Sequence, residues 1–227
     1  MSEATPLRFR LSTTSAPLEI APTRLIVAGY TGRDEEAVAA HIAELADIGV
    51  PPPPTVPAFY DLDPALLTTD PVITVDGEDT SGEVEPVIIR HGGRHYLAIG
   101  SDHTDRELEK TDISSSKAAC PKPLGEVVLP LPDDLEAFDW DSVTAASEVD
   151  GEPYQRGTLA GLRRPADLLG RLAAALPDTD GDVVVFGGTF PLLTGRFVYG
   201  RRWRLRFELG DGTSLIHAYE TTGRRSV

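Results

Sequence analysis

Short runs of β-branched and aromatic residues, separated by turn-forming residues, recur along most of this chain. Clear examples are VITV, VEPVII and HYLAIG, which occupy residues 72–75, 84–89 and 95–100. The stretches DGEDTSG and RHGG between them contain the Gly and Asp residues that are typical of tight turns. Only three segments favour helices, namely 34–48, 104–110 and 164–176. We therefore predict a mostly β fold of the α+β class with a few peripheral helices.

Charge and composition restrict the partners that this chain can have. The formal net charge of -15 argues against a nucleic-acid surface or an anionic membrane as the main partner. No stretch approaches the apolar length that crosses a bilayer, and the single Cys120 excludes an intramolecular disulfide. We expect a cytoplasmic protein that binds neither nucleic acid nor membrane.

Two glutamates at the start of a predicted strand are the most informative residues. Glu83 and Glu85 are two positions apart, so on a strand their side chains project from the same face. Asp102 follows the next predicted strand, and in a hairpin it would return close to them. Mg²⁺ takes such oxygen ligands, and it would relieve the repulsion between neighbouring carboxylates. The alternative is that all three are solvated acids on an acidic protein.

The segments Glu83-Val84-Glu85 and Gly100-Ser101-Asp102-His103-Thr104-Asp105-Arg106-Glu107-Leu108-Glu109 together resemble the fumarylacetoacetate hydrolase family. Its hallmark is a Glu-x-Glu strand followed by Gly-Asn-Asp-x-(Ser/Thr)-x-Arg-Asp-x-Gln. The resemblance implies a mixed β-sandwich or β-roll and a Mg²⁺ or Mn²⁺ ion on Glu83, Glu85 and Asp102. It also implies substrate contacts for Arg106 and Glu109. Ser101, Glu107 and Glu109 depart from the pattern.

Upstream, Ala28-Gly29-Tyr30 and His41-Ile42-Ala43-Glu44 resemble the entrance segment of the same family. There a His-x-x-Glu pair on a short lid helix activates water. Residues three apart on a helix share a face, so Glu44 can orient the imidazole of His41 as a general base. The alternative is that His41 is an ordinary surface histidine on an amphipathic helix.

Three downstream segments complete the resemblance. Ser114 falls on the family's lysine position, and Lys117, three residues later, is the basic candidate that could reach the site. Its alternative is a surface lysine on a serine-rich loop. The segment 149–155 resembles a substrate-contacting hairpin and contributes Gln155. The segment 181–189 resembles a strand and loop that hold a substrate carboxylate through Gly188 and Thr189, and glycine there permits close approach to a ligand.

The resemblance spans roughly residues 25–220 and implies a function. We assign residues 1–24 to an N-terminal strand segment and residues 25–222 to a catalytic domain whose lid-like helix covers about 34–48. The implied enzyme is a metal-dependent hydrolase that cleaves a carbon–carbon bond in a small β-dicarbonyl or 2-oxo acid, and it is a homodimer like many relatives. His41 and Glu44 would activate water, and Lys117 would assist.

Other functions remain open at this point. The same metal–enolate chemistry serves decarboxylases, hydratases and tautomerases. A non-catalytic relative that only binds a ligand is another possibility. A third is an acyl hydrolase in which Lys117 activates Ser114, although two specified residues make a weak motif.

Overall fold

The computed structural model describes residues 6–47, 52–177 and 181–223, although the side chains of His41, Glu44, Leu45 and Asp47 lie outside the described part. The strands are β1 (Leu7–Leu11), β2 (Pro17–Ile20), β3 (Arg24–Gly29), β4 (Ala58–Leu62), β5 (Leu67–Thr68), β6 (Val72–Val75), β7 (Thr80–Ser81), β8 (Val84–His91), β9 (Arg94–Ser101), β10 (Thr104–Asp105), β11 (Lys122–Pro123), β12 (Val127–Pro130), β13 (Thr144–Val149), β14 (Glu152–Thr158), β15 (Val183–Phe186), β16 (Arg202–Glu208) and β17 (Ser214–Gly223). The α-helices are α1 (Glu35–Asp47), α2 (Arg106–Glu109), α3 (Ile113–Ala118) and α4 (Pro165–Ala175).

Two sheets carry most of the strands. The larger has eight strands in the order β2-β1-β12-β9-β8-β15-β3-β4, and the other has five in the order β14-β13-β16-β17-β6. Most neighbouring strands are antiparallel, although β1 with β12, β15 with β3 and β17 with β6 run parallel. The prediction of a mostly β, α+β fold is therefore confirmed.

Hydrophobic patterning explains where the strands lie. On β16 every second residue is buried, as expected of a strand with one face on the core and one in water. The first six residues of β8 are all buried, because this strand is central in the larger sheet and is covered on both faces. A continuous apolar run is the sequence pattern of such a strand.

The two faces of the β8–β9 hairpin contribute to different cores. Val84, Ile88 and Ile99 pack against residues of the five-stranded sheet such as Trp203. Val87, Ile89 and Ala98 point to the opposite side and pack with residues of β1, β2, β3 and β15. The hairpin therefore lies between two hydrophobic cores, and its open end is held from both sides.

The helices cover the edges of this arrangement. Helix α4 packs Leu168 and Leu172 on a third cluster formed by β3 and β15. The predicted helices at 34–48, 104–110 and 164–176 correspond to α1, α2 and α4. Helix α3 was missed, because its serine-rich sequence resembles a loop. No helix in the described ranges is long and apolar enough to cross a membrane.

The N-terminal segment is part of the larger sheet. Strand β1 pairs with β12 and with β2, and its Leu7 and Phe9 are buried in the second core. Residues 6–24 therefore contribute strands and core residues to the larger sheet.

Candidate metal and substrate site

The open end of the β8–β9 hairpin brings the three predicted ligands together. Val84 is paired with Ser101, and the Asp102 amide donates to the Glu83 carbonyl at 3.0 Å. Glu83 and Asp102 are thus cross-strand neighbours, and Glu85 follows Glu83 on the same face. Asp102 and Glu85 are buried, and the side chain of Glu83 is only 14% exposed. The reading of these residues as solvated acids is therefore wrong.

Two lysines bind the carboxylate of Asp102. Lys117 Nζ contacts Oδ2, and Lys122 Nζ lies 3.1 Å from Oδ1. Burial raises the pKa of Asp102, but the charges of Lys117 and Lys122 outweigh burial and hold that pKa far below its usual range. Asp102 is therefore an anion enclosed by two ammonium groups.

Helix α3 explains how Lys117 reaches this place. The Asp112 side chain accepts hydrogen bonds from the Ser115 amide at 3.1 Å and the Ser115 hydroxyl at 2.7 Å, which fixes the start of the helix. The turn then directs Lys117 inward, where it is buried, while Ser114 remains exposed. The reading of Lys117 as a surface residue is wrong. Because its ammonium faces Asp102, it is not positioned to activate Ser114.

The positively charged ammonium of Lys117 lies close to all three predicted metal ligands. Burial lowers the pKa of Lys117, but the carboxylates of Asp102, Glu83 and Glu85 outweigh burial and raise it. Among the described residues, no three His, Cys, Asp or Glu side chains are oriented to hold a metal ion as they stand. Asp102 contacts Lys117 and Lys122, Glu83 contacts Arg106, and Glu85 accepts from a backbone amide instead. The donor set nevertheless fits a hard divalent cation, because three carboxylates share one face around a cationic group.

Glu85 is held by the loop that contains Gly188. Its Oε2 accepts a hydrogen bond from the Gly188 amide at 2.8 Å. Burial, followed by the negative charge of Asp102, raises the pKa of Glu85 well above its ordinary value. Gly188 has φ +99°, and a Cβ there would lie 1.7 Å from Thr31 Oγ1. Only glycine allows this loop to pass Thr31 and still donate to Glu85.

Arg106 is occupied by protein partners. Its Nε donates to Ser81 Oγ at 2.6 Å, Nη2 lies 3.1 Å from Glu83 Oε2, and Nη1 donates to both Glu109 oxygens at 2.9 and 3.0 Å. The ring of Phe197 lies 3.9 Å from the guanidinium carbon. The structure thus uses Arg106 to balance Glu83 and Glu109.

Gln155 and Thr189 form a buried hydrogen-bond frame around Val84. Gln155 Oε1 accepts from the Val84 amide at 2.9 Å and from Ser147 Oγ at 3.1 Å. Its Nε2 donates to Thr189 Oγ1 at 2.9 Å and to the Phe190 carbonyl at 2.8 Å. Thr189 in turn donates its hydroxyl proton to the Val84 carbonyl at 3.0 Å. The side chains of Gln155 and Thr189 therefore hold the backbone of Val84, which lies between Glu83 and Glu85.

A second polar network lies on the opposite face of the hairpin. The Tyr219 hydroxyl is 2.8 Å from Ser101 Oγ and 2.9 Å from His103 Nδ1, while His103 Nε2 is 3.0 Å from Thr80 Oγ1. A Cβ at Gly82 would lie 2.2 Å from that hydroxyl, so glycine is required there. This network supports the residues that flank Asp102, and it joins residues that are far apart in the chain.

The sequence interpretation also missed Lys122. Besides Asp102, its ammonium contacts the carbonyls of His103 and Lys117. A fully buried lysine has no distinctive sequence pattern, since lysine is one of the residues most often exposed.

The predicted base lies on helix α1. The side chains of His41 and Glu44 lie outside the described residues, so their roles stay predictions. The segment before the helix is held in place, because Gly32 bridges to Leu162 and the Arg163 amide donates to the Thr31 carbonyl at 2.8 Å. Thr31, which adjoins Gly188, thus links the base of α1 to the loop that holds Glu85.

Two tyrosines lie near the ammonium of Lys117. The ring of Tyr60 lies 5.7 Å from Nζ. Tyr30 is within electrostatic range of Lys117 and Glu109, and burial followed by Glu109 raises its pKa. A separate surface groove of about 660 Å³ lies on the five-stranded sheet and contains none of the predicted site residues. The cluster of carboxylates, lysines and tyrosines is therefore the candidate site.

Comparison with solved structures shows that the chain has the fumarylacetoacetate hydrolase fold, as the sequence resemblance implied. Fumarylpyruvate hydrolase from Pseudomonas aeruginosa, in complex with Mn²⁺ and pyruvate, superposes with a TM-score of 0.67 at 15% identity and covers 99% of each chain. A protein from Oleispira antarctica, assigned as a fumarylacetoacetate isomerase/hydrolase, gives 0.67 at 15% identity over 94% of this chain and 99% of its own. The 5-carboxymethyl-2-hydroxymuconate delta-isomerase from Mycobacterium smegmatis gives 0.61 at 16% identity over 92% and 82%.

Sequence comparison gives a narrower result. The model of the family described as "Protein of unknown function (DUF2848)" matches residues 28–219. No curated protein matches the sequence.

Proposed function

We propose that this chain, which belongs to the DUF2848 family and has the fumarylacetoacetate hydrolase fold, is a divalent-metal-dependent enzyme acting on a small 2-oxo or β-dicarbonyl acid. The reaction that we favour is hydrolysis of a carbon–carbon bond. One observation carries the proposal: Glu83, Glu85 and Asp102 share one enclosed face around a cationic group.

The metal would be Mg²⁺ or Mn²⁺, with Glu83, Glu85 and Asp102 as its ligands. When bound, it would supply a Lewis acid that stabilises an enolate oxygen. A neighbour with the same fold is described in complex with Mn²⁺ and pyruvate, which supports a divalent ion and an oxo acid. Lys117 and Lys122 would keep Asp102 ionised, and the Gly188 amide would orient Glu85.

The proton chemistry is assigned to His41 and Glu44 on helix α1. They are three residues apart on a helix that begins at Glu35, four residues after Thr31, and Thr31 adjoins the loop that holds Glu85. Glu44 would orient the imidazole, and His41 would take the proton from the attacking water. Gln155 and Thr189 act through Val84 by fixing the strand that carries the two glutamates.

Isomerisation is the alternative. A delta-isomerase has the same fold, and stabilisation of an enolate by a divalent ion held on the same carboxylates would serve either outcome. Access of water to the substrate decides between hydrolysis and isomerisation or decarboxylation. We further expect a cytoplasmic homodimer, as the sequence interpretation indicated.

The first test is thermal unfolding with and without Mn²⁺ for the wild type, Glu83→Gln and Asp102→Asn. We expect Mn²⁺ to stabilise the wild type and neither variant, because each variant loses a charged ligand. Glu19→Gln, on the exposed face of β2, is the control and should respond like the wild type. Equal stabilisation of all four proteins would remove these residues from metal binding.

The second test is turnover. Acylpyruvates and oxaloacetate are supplied with Mg²⁺ or Mn²⁺, and loss of the enol absorbance is followed together with product identity. We expect cleavage of an acylpyruvate into pyruvate and a carboxylic acid, and loss of this activity in His41→Ala with Mn²⁺ stabilisation retained. Failure to convert any of these acids would contradict the proposed function.

A further inference from the structure

We propose that the substrate ends in an apolar or aromatic group, and not in a second carboxylate, on the side away from the predicted metal ligands. The inference rests on the proposed function, because it concerns the same site. It follows from how the charged groups around the site are already paired and from which side chains remain around it.

Arg106 has no free donor pair for a second carboxylate. Its five N–H groups face Ser81, Glu83 and Glu109, and its side chain is only 2% exposed. Glu109 takes the Nη1 group with both of its oxygens. A planar guanidinium binds a carboxylate through two parallel N–H bonds, and here Nη1 is taken by Glu109 while Nη2 is taken by Glu83 and the Ser81 carbonyl.

Lys117 and Lys122 are also paired with protein groups. Lys122 is fully buried and binds Asp102 and two backbone carbonyls, while Lys117 binds Asp102. Within the described part of the chain, the cations around the site are therefore engaged by protein groups. With these pairs in place, a carboxylate at the far end of a substrate would meet no unpaired positive charge there.

Glu109 adds an opposing charge at the same place. Its side chain is 26% exposed, beside Arg106, and it lies within electrostatic range of Tyr30 and Tyr60. An anionic tail entering between these tyrosines would approach this carboxylate. Like charges brought together at an interface oppose binding, and the net charge of -15 acts in the same direction.

The side chains that remain favour an apolar tail. Tyr30 and Tyr60 are half-buried beside Lys117, and Phe197 lies over Arg106 with 39% of its surface exposed. Beyond Phe197, Leu108, Val198 and Tyr199 are also exposed. Aromatic faces of this kind bind aryl groups by stacking and by apolar contact.

Binding of three acids with the same dioxo head group tests the inference. Benzoylpyruvate, acetylpyruvate and succinylpyruvate are titrated calorimetrically into the protein with saturating Mn²⁺, and turnover is measured in parallel. We expect benzoylpyruvate to bind at least about tenfold more tightly than succinylpyruvate, with acetylpyruvate between them. Equal or tighter binding of succinylpyruvate would overturn the inference and leave the proposed function standing, whereas binding of none would overturn both.

The variant Glu109→Gln tests the cause. It keeps the shape of the side chain but removes the charge that neutralises Arg106, so succinylpyruvate should bind about tenfold more tightly than to the wild type. Glu107→Gln is the matched control, since Glu107 is exposed two residues away and pairs with Lys110. An unchanged preference in Glu109→Gln, or the same change in Glu107→Gln, would contradict the role given to Glu109.

A second pair of variants tests the aromatic wall. Tyr60→Phe retains the ring and should retain the preference for benzoylpyruvate, whereas Tyr60→Ala should weaken benzoylpyruvate binding more than acetylpyruvate binding. Equal weakening of both ligands would show that Tyr60 supports the fold of the site and does not contact the tail. Thermal unfolding of each variant confirms that the protein tested is folded.

Discussion

At the scale of single residues, the site is held together by buried polar groups that have their hydrogen-bond partners. Gln155 is the clearest case, because both of its polar atoms are used twice and its partners come from β8, β13 and the loop after β15. Such a residue contributes little net energy when satisfied, but removing it leaves several buried groups without partners.

Substitution of Gln155 should therefore be costly. We expect Gln155→Leu to lower the free energy of unfolding by about 3 kcal/mol or more, since the Val84 amide and the Phe190 carbonyl lose a buried partner. Ser147→Ala, which removes only one of the four bonds, should cost about 1 kcal/mol. Urea denaturation measures both. Equal losses of stability in the two variants would mean that the hydrogen bonds of Gln155 are not what holds β8 in place.

His217 should make stability depend on pH. It is buried, its Nε2 has no partner among the described residues, and burial lowers its pKa from 6.5 to about 4. Below pH 6.5 His217 is protonated in the unfolded chain but stays neutral in the folded chain. The free energy of unfolding therefore falls as the pH is lowered from 6.5 to about 4. Above that window the histidine is neutral in both states and contributes no slope.

The variant His217→Phe checks this contribution. It keeps a ring against Tyr219 and removes the titrating group, so its stability should fall less than that of the wild type on acidification. The expected difference at pH 4 relative to pH 7 is on the order of 2 kcal/mol. Urea denaturation at several pH values gives the comparison, and parallel pH profiles would assign the acid sensitivity elsewhere.

At the scale of elements, ion pairs bind the start of helix α1 to α4. Arg163 lies 2.8 Å from Glu35 Oε1 and 3.1 Å from Asp167 Oδ2, with a side chain only 6% exposed. Arg33 adds a contact of 2.8 Å with Asp141. The first turn of the helix that carries His41 is thus fixed by charged partners from elsewhere in the chain.

Arg163→Met should release this end of α1 while keeping the apolar stem of the side chain. We expect amide hydrogen exchange at residues 35–40 to become about tenfold faster. Arg171→Met is the control, because Arg171 lies 3.7 Å from Glu35 and its side chain is 42% exposed. Exchange that is unchanged in Arg163→Met, or equally faster in both variants, would contradict the role of Arg163.

The elements also show how far the sequence could be interpreted. Strands β8 and β9 were predicted because their apolar runs and turn residues are local signals, and the spacing of Glu83 and Glu85 placed both on one face. Helix α3 was missed because its stability depends on the Asp112 cap and on burial of Lys117 against Asp102, which is a long-range contact. The pairing of Arg106 with Glu109 was visible in principle, since residues three apart on a helix are neighbours.

At the scale of the whole molecule, the predicted fold class and the family resemblance are confirmed, while the hydrogen-bond network of the site could not be predicted. Ser101 of β9 and His103 of the turn that follows it meet Tyr219 of β17, which is more than 100 residues away from both in the chain. Sequence patterns report local periodicity, and such a network depends on how two sheets pack.

The position of the β8–β9 hairpin between two cores has a consequence for how such proteins can diversify. Substitutions at the acids, or at the frame behind them, perturb folding and chemistry together, so natural selection has little freedom there. Phe197 and its exposed neighbours border the same site but belong to no core. New specificities should therefore arise through changes in the loop that contains Phe197, and homologues with different substrates should differ most around that loop.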